Sequence, residues 1–334
     1  MKTRVSYFLL RGDNEALAIG ELKALLDVYD CRPRRLQCYT MVCIVHHECN
    51  SIEEKIVGRA GFIKEAGILV ALDNPYNPSL NVNNAIEKGA RVHASILKKG
   101  VEEDEARKYT SYLAERYGLK IEGGRGRLRV LFTDGIAIIG VKTAEQDTRG
   151  LYERSKLKPY KRSISLTPEI SRLLVNLARA REGMVLLDPF AGTGSILVEA
   201  GLMGIRAIGV EIDADIARGM EENLRFYNIN AIPVVGDSSE IEATVVDAIA
   251  TDPPYGRGAS THGYSQAVLL KKFIEKAWTT LRSGGYMSFM TPLHLEDLVD
   301  EVLCKSEFMS IARYYQYVHG GLTRVIYVVE KIEY

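Results

Sequence analysis

The sequence predicts an α/β chain in which a domain built on a parallel sheet follows smaller α+β domains. Three observations carry this. From Met184 to Met290, short apolar strands alternate with amphipathic helices, the rhythm of β-α units laid on a parallel sheet. Before residue 150 the order is β-α-β-α-β, then a helix and a hairpin turned at Asp134-Gly135. Between these parts, Arg149 to Arg162 sets six basic residues against one acid, Glu153, a break in composition that reads as a linker.

Taken in order, Val5–Leu10 reads as a strand and Asn14–Tyr29 as a helix with Ala16, Ile19, Leu22, Leu25 and Leu26 on one face. Gln37–Val45 reads as a second strand. Ser51 caps a helix to about Ala60, and Gly67–Ala71 is a short strand. Residues 1–73 therefore suit a ferredoxin-like α+β domain, ended by Asn74-Pro75-Tyr76-Asn77-Pro78. In 74–147, a helix over Val101–Tyr117 precedes the hairpin Arg127–Thr133 and Ile136–Val141. Arg125 and Arg127, in the run Gly123-Gly124-Arg125-Gly126-Arg127, are placed to grip phosphates from a flexible turn; charges guarding a strand edge would look the same. In the linker, 148–164, Tyr152 and Tyr160 are interleaved with Lys156, Lys158, Lys161 and Arg162. That pattern suits a single-stranded or terminal RNA segment, a merely solvated linker being the plainer reading.

Residues 165–334 carry the regular alternation. Ser165-Leu166-Thr167-Pro168-Glu169 opens a helix to about Ala180. Strands follow at Met184–Leu187, Arg206–Val210, Ile232–Val235, Val245–Ala250 and Tyr286–Met290, with helices Ser195–Met203, Asp215–Tyr227 and Ser265–Leu281 between them. The tail, Phe308–Val318 and Leu322–Glu330 about Gly320-Gly321, reads as a hairpin adding an antiparallel strand to the parallel sheet.

Composition narrows the class. The chain has 334 residues, 46% hydrophobic and 26% charged, enough for two or more soluble domains. No apolar run approaches the ~20 residues of a membrane span, and the N-terminus lacks the apolar core of a signal peptide. A cytoplasmic protein with no membrane partner is expected. Net charge is +7 over 1–162 and −7 over 163–334, so the front half is the candidate for polyanions. Cys31, Cys38, Cys43 and Cys49 lack C-x2-C spacing, so no metal is expected, and Cys38 and Cys43 read as buried reduced thiols.

Two motifs carry the chemistry. Asp188-Pro189-Phe190-Ala191-Gly192-Thr193-Gly194-Ser195 joins a buried strand to a helix, where Gly192 and Gly194 let backbone approach a ligand at a helix N-terminus. The third glycine of a dinucleotide fingerprint is missing, which lowers a nicotinamide reading. Charge favours S-adenosylmethionine: Asp188 suits its ammonium and Glu211, beside Ile212, its ribose hydroxyls, whereas both would repel a pyrophosphate. Asp237 is placed to accept from the adenine amine and the Ser238 N–H to donate to the ring. At the fourth strand tip, Asp252-Pro253-Pro254-Tyr255 offers two acceptors, the Asp252 carboxylate and the Pro253 carbonyl, beside the Tyr255 ring. Together they suit a planar base bearing an exocyclic NH2.

Leu187 to Gly194 together with Thr251-Asp252-Pro253-Pro254-Tyr255-Gly256-Arg257 resembles the archaeal tRNA guanine-N2 methyltransferases that act at position 10 of tRNA. The resemblance implies a ferredoxin-like domain, a THUMP domain holding tRNA over 74–147, a linker and a Rossmann-like methyltransferase domain, with no obligatory protein partner evident. It implies catalysis by Asp252, Pro253 and Tyr255, cofactor contacts from Asp188, Pro189, Ala191, Gly192, Thr193, Gly194, Glu211, Ile212, Asp237 and Ser238, and a phosphate contact from Arg257. Lys161 to Pro168 departs from the Pro-Gly-containing form usual there, which leaves that segment's contacts open. The rival readings are N2 methylation at another tRNA position such as 6, methylation of ribosomal RNA guanine or DNA adenine N6, a non-catalytic RNA-binding protein, and a nicotinamide dehydrogenase.

Overall fold

The computed structural model describes residues 3–81, 86–122, 126–240, 245–254 and 265–332. These form two compact units, Met1–Asp147 and Thr148–Tyr334.

In the first unit, β1 (Arg4–Leu10) is buried from Ser6 onward, so it takes a central place. It runs antiparallel to β3 (Val42–His47) on one side and β4 (Ile63–Asp73) on the other. β2 (Arg35–Tyr39) pairs with the outer side of β3, and helices α1 (Glu15–Val28) and α2 (Ile52–Arg59) complete a β-α-β-β-α-β unit of ferredoxin-like type. The single strand expected over Gln37–Val45 is thus two strands, reversed at Thr40-Met41 with Met41 at a φ of 65°. The apolar run continues through that turn, which hides it from a pattern reading. On α1, Asn14 is the N-cap rather than the first helical residue, accepting from the Leu17 N–H at 3.2 Å. The buried face is Leu17, Leu22, Leu25 and Leu26, while Ala16 is exposed and Ile19 half-buried. Ser51 precedes α2, but its side chain makes no cap bond.

Cys38 and Cys43 are directly opposed across the β2–β3 hairpin and joined by a disulfide, and a second disulfide joins Cys31 to Cys49. The reduced thiols expected at 38 and 43 are not found, because pairing register places the two side chains face to face. Cys31, His47 and Cys49 form the group of potential metal ligands found among the described residues, with both sulfurs in the disulfide.

β4 extends well beyond the expected Gly67–Ala71 and pairs antiparallel with β8 (Ile136–Glu145). One eight-stranded sheet results, ordered β2-β3-β1-β4-β8-β7-β5-β6. β7 (Leu128–Thr133) and β8 form the expected hairpin, with Asp134 and Gly135 both at positive φ. β5 (Arg91–Ile96) and β6 (Lys120–Ile121), joined through α3 (Glu103–Tyr117), run parallel to each other. Neither was anticipated, since polar residues interrupt one and the other is two residues long. Val92, Tyr109, Leu113, Val130 and Phe132 form the core beneath them.

The second unit opens with α4 (Thr148–Leu157), so much of the basic stretch is helix rather than extended linker. α5 (Pro168–Leu177) begins with proline at its first turn after Thr167. Strands β9 (Val185–Asp188), β10 (Arg206–Glu211), β11 (Ile232–Val235), β12 (Val246–Thr251) and β13 (Leu281–Pro292) alternate with α6 (Ser195–Leu202), α7 (Ala214–Phe226) and α8 (Gln266–Thr280). α9 (Glu296–Cys304), unread in the sequence, leads to the hairpin β14 (Phe308–His319) and β15 (Leu322–Lys331). The seven-stranded order is β11-β10-β9-β12-β13-β15-β14, with β15 antiparallel to β13. Ile249, Phe273, Met287, Phe289 and Tyr327 fill the core, the last two rings stacked at 5.1 Å. All five parallel strands end along one edge.

α4 is fastened to this unit by charge. Glu199 on α6, almost wholly buried, accepts from Arg154 on α4 at 2.8 Å and Arg172 on α5 at 2.7 Å. Removing one member of a buried pair leaves its partners uncompensated. Glu199→Ala is expected to lower unfolding free energy by about 3 kcal/mol, read by urea denaturation; a loss under about 1 kcal/mol would refute the assignment.

Candidate active site

The tips of β9, β10, β11 and β12 deliver Asp188, Glu211, Asp237 and Asp252 to one cleft of about 500 Å³. Ligands of open parallel sheets bind at this edge because loops and helix N-termini converge there.

Asp188 is the innermost. Its Oδ1 accepts from the Thr251 hydroxyl at 2.6 Å and the Phe190 N–H at 3.2 Å. Complete burial pushes its pKa up to about 7 against those two hydrogen bonds, and the charges of Asp252 and Glu211 add to the rise. Such a carboxylate favours a cationic ligand. After it the chain turns through Gly192 and Gly194, at φ of 53° and 80°, into α6. A Cβ on Gly194 would lie 2.9 Å from Met220 Cγ, so both backbone angle and space require glycine.

Glu211 holds this loop in place, accepting from the Gly192 N–H through Oε2 and the Asp213 N–H through Oε1, each at 3.0 Å. Its unused lone pairs, beside the exposed Ile212, suit a diol over an apolar floor. Asp237 Oδ1 takes the Ser239 N–H and hydroxyl, both at 2.8 Å. Asp237 and Ser238 both line the cleft. Pro189, Ala191 and Thr193 also line it, whereas Gly194 serves at its rim as the N-cap of α6. The donor and acceptor set fits S-adenosylmethionine, and a pyrophosphate would face two carboxylates.

Asp252, Pro253 and Pro254 form the other wall. Tyr255 and Arg257, like Arg125, lie outside the described residues. Arg324, which the motif reading missed, also lines the cleft, with Nη2 3.8 Å from Asp252 Oδ2. It comes from the antiparallel tail strand, far along the sequence from either motif, and so carries no spacing signal.

The basic residues separate. Arg127, Lys156, Lys161 and Arg162 are exposed, and Arg162 reaches the cleft wall together with Ser165 and Leu166. The segment whose contacts were left open therefore borders the cleft. Lys156 lies over the Tyr152 ring, and the Lys161 ammonium donates to the Lys156 carbonyl. Lys158 instead turns inward, its Nζ 3.2 Å from Ser195 Oγ and 3.4 Å from Thr193 Oγ1, with burial lowering its pKa. Its ammonium faces the cofactor loop, not a surface strand of RNA. Tyr160 is likewise committed: its ring packs on Gly219 and its backbone bonds twice to Asn223.

The state of Asp188 sets a measurable pH dependence. Its folded pKa of about 7 exceeds the usual 3.8, so between these values the folded chain holds a proton the unfolded chain has lost, and Asp188's own contribution to stability falls as pH rises from about 4 to 7. Asp188→Asn is expected to gain about 4 kcal/mol relative to the parent at pH 8 and little at pH 4, while losing adenosylmethionine binding by calorimetry. Equal stability at both pH values would contradict the buried carboxylate.

Residues 156–326, just over half of the chain, match the family model described as RMKL-like, methyltransferase domain. A Methanothermobacter thermautotrophicus protein named tRNA (guanine(10)-N2)-dimethyltransferase is 40% identical over 186 residues, 53% of this chain and 54% of that relative. Over that match, the chain spans about half the relative's length. The Methanocaldococcus jannaschii protein of the same name is 29% identical over 97% of this chain and 99% of its own. Among solved structures, TrmN from Thermus thermophilus superposes with a TM-score of 0.55 at 19% identity, covering 99% of this chain and 100% of that one, a likeness of fold. The second unit is a Rossmann-like methyltransferase domain, and the chain belongs to the RMKL-like methyltransferase family.

Proposed function

We propose that the chain transfers methyl groups from S-adenosylmethionine to the exocyclic N2 amine of guanosine 10 in tRNA, giving N2-methyl- and N2,N2-dimethylguanosine. The observation that carries this is the single cleft shared by Asp188, Glu211 and Asp252, which sets a base-amine acceptor beside a pocket suited to a cationic donor. The relatives' names point the same way. In this reading residues 1–73 are the ferredoxin-like domain, 74–147 a THUMP domain that grips tRNA, 148–164 a basic connection and 165–334 the catalytic domain. Among the described residues no helix is long and apolar enough to cross a membrane, in keeping with work on tRNA in the cytoplasm.

Bound in the cleft, S-adenosylmethionine supplies an electrophilic methyl on a sulfonium. The guanine N2 amine is a poor nucleophile because its lone pair is shared with the ring. Asp252 and the Pro253 carbonyl accept its two N–H bonds, turning the lone pair toward the methyl, and Tyr255 stacks on the extruded base. As the N–C bond forms and the C–S bond breaks, the nitrogen loses one proton, which Asp252 takes and passes to water.

Unmodified tRNA transcript incubated with labelled methyl donor is expected to yield label in N2-methyl- and N2,N2-dimethylguanosine mapped to position 10; label in another nucleoside, or none, overturns the reading. Asp252→Ala is expected to bind the donor normally while transfer falls about 10²- to 10⁴-fold. Near-normal turnover would remove Asp252 from catalysis.

A further inference from the structure

Asp252 and Arg324 form a pair of opposite hydrogen-bonding sense on one wall of the cleft. A carboxylate accepts only, and a guanidinium donates only. Nη2 and Oδ2 stand 3.8 Å apart, each side chain is 16% exposed, and both residues line the cleft, so the pair is largely withdrawn from bulk water at the wall of the site. Topology explains the meeting. β13 lies between β12 and β15, and because β15 is antiparallel its first residues stand at the edge where β12 ends. Register places Arg324 beside Pro292 at the last position of β13. The cleft also holds the carboxylates of Asp188, Glu211 and Asp237, so a guanidinium here offsets part of a concentrated negative charge.

An acceptor and a donor on one wall suit the two ends of guanine's Watson–Crick edge, which offers the N2 amine as donor at one end and O6 as acceptor at the other, with the N1–H donor between them. We propose that Arg324 donates to O6 of the target guanine while Asp252 accepts from N2, so that Arg324 selects guanine for the reaction. This rests on the guanine-N2 reading above and deepens it by naming the residue that sets base specificity. Adenine held the same way presents an amine where guanine has O6 and only C–H where guanine has N2. The guanidinium then faces a donor, the carboxylate loses its partner, and buried polar groups left unpaired reject the wrong base. The apolar Leu322 and Pro253 line the same cleft.

The test uses the full-length protein and three tRNA transcripts. One carries the natural guanosine. In the second that nucleotide is 2-aminopurine, which keeps the 2-amine and lacks O6, and in the third it is 2,6-diaminopurine, which puts an amine in place of O6. The wild type is expected to prefer guanosine over both analogues in kcat/KM by about 10- to 100-fold. Arg324→Met is expected to lower transfer to guanosine by a similar factor and to bring the ratio toward one, with adenosylmethionine binding by calorimetry retained. Arg324→Lys, which keeps charge and one donor, is expected to retain part of the preference and guards against a folding defect in the first variant. If either variant slows all three transcripts equally, leaving the wild-type ratio intact, Arg324 only steadies Asp252 and the proposal is overturned while the functional reading stands. If the wild type methylates no guanosine, both fall together.

Discussion

The Asp188 carboxylate, sealed beneath the Thr251 hydroxyl and the Phe190 N–H, is the constraint around which the second unit is arranged. A charge there has given up water for two hydrogen bonds, too few to satisfy it. The neighbouring tips of β10 and β12 add further negative charge instead of relief. Folding thus stores an electrostatic demand at the sheet edge, and a cationic ligand is what meets it. The loop after β9 turns through two glycines at positive φ, so its backbone can bend around the same edge.

Much of this was legible in the sequence, because a parallel sheet converts order along the chain into position along an edge. Asp188, Glu211, Asp237 and Asp252 close four successive strands, so reading the strands located the cleft. Arg324 was not legible, since it enters through the one antiparallel strand, and no local spacing relates it to Asp252. Lys158 was misread for a related reason. A basic residue among aromatics has the same signature whether it faces solvent or, as here, the hydroxyls of Thr193 and Ser195.

In the first unit the losses came from short or interrupted strands. Gln37–Val45 kept its apolar character through the turn at Thr40-Met41, so periodicity merged two strands into one. β6 is only two residues long, and β5 mixes His93 and Ser95 with Val92 and Ile96. Parallel neighbours, not their own pattern, hold both in extended form. The Asp134-Gly135 turn was readable because its backbone angles demand those residue types.

The continuous eight-stranded sheet bears on how the chain tolerates dissection. Proline and asparagine at 74–78 invite a cut there, yet β4 and β8 are bonded from Glu65–Glu145 to Asp73–Ala137. Severing the halves would bare two long strands whose amide and carbonyl rows seek any partner, including another copy. A stable recombinant fragment of the N-terminal region has to keep both strands, and an excised ferredoxin-like piece would self-associate.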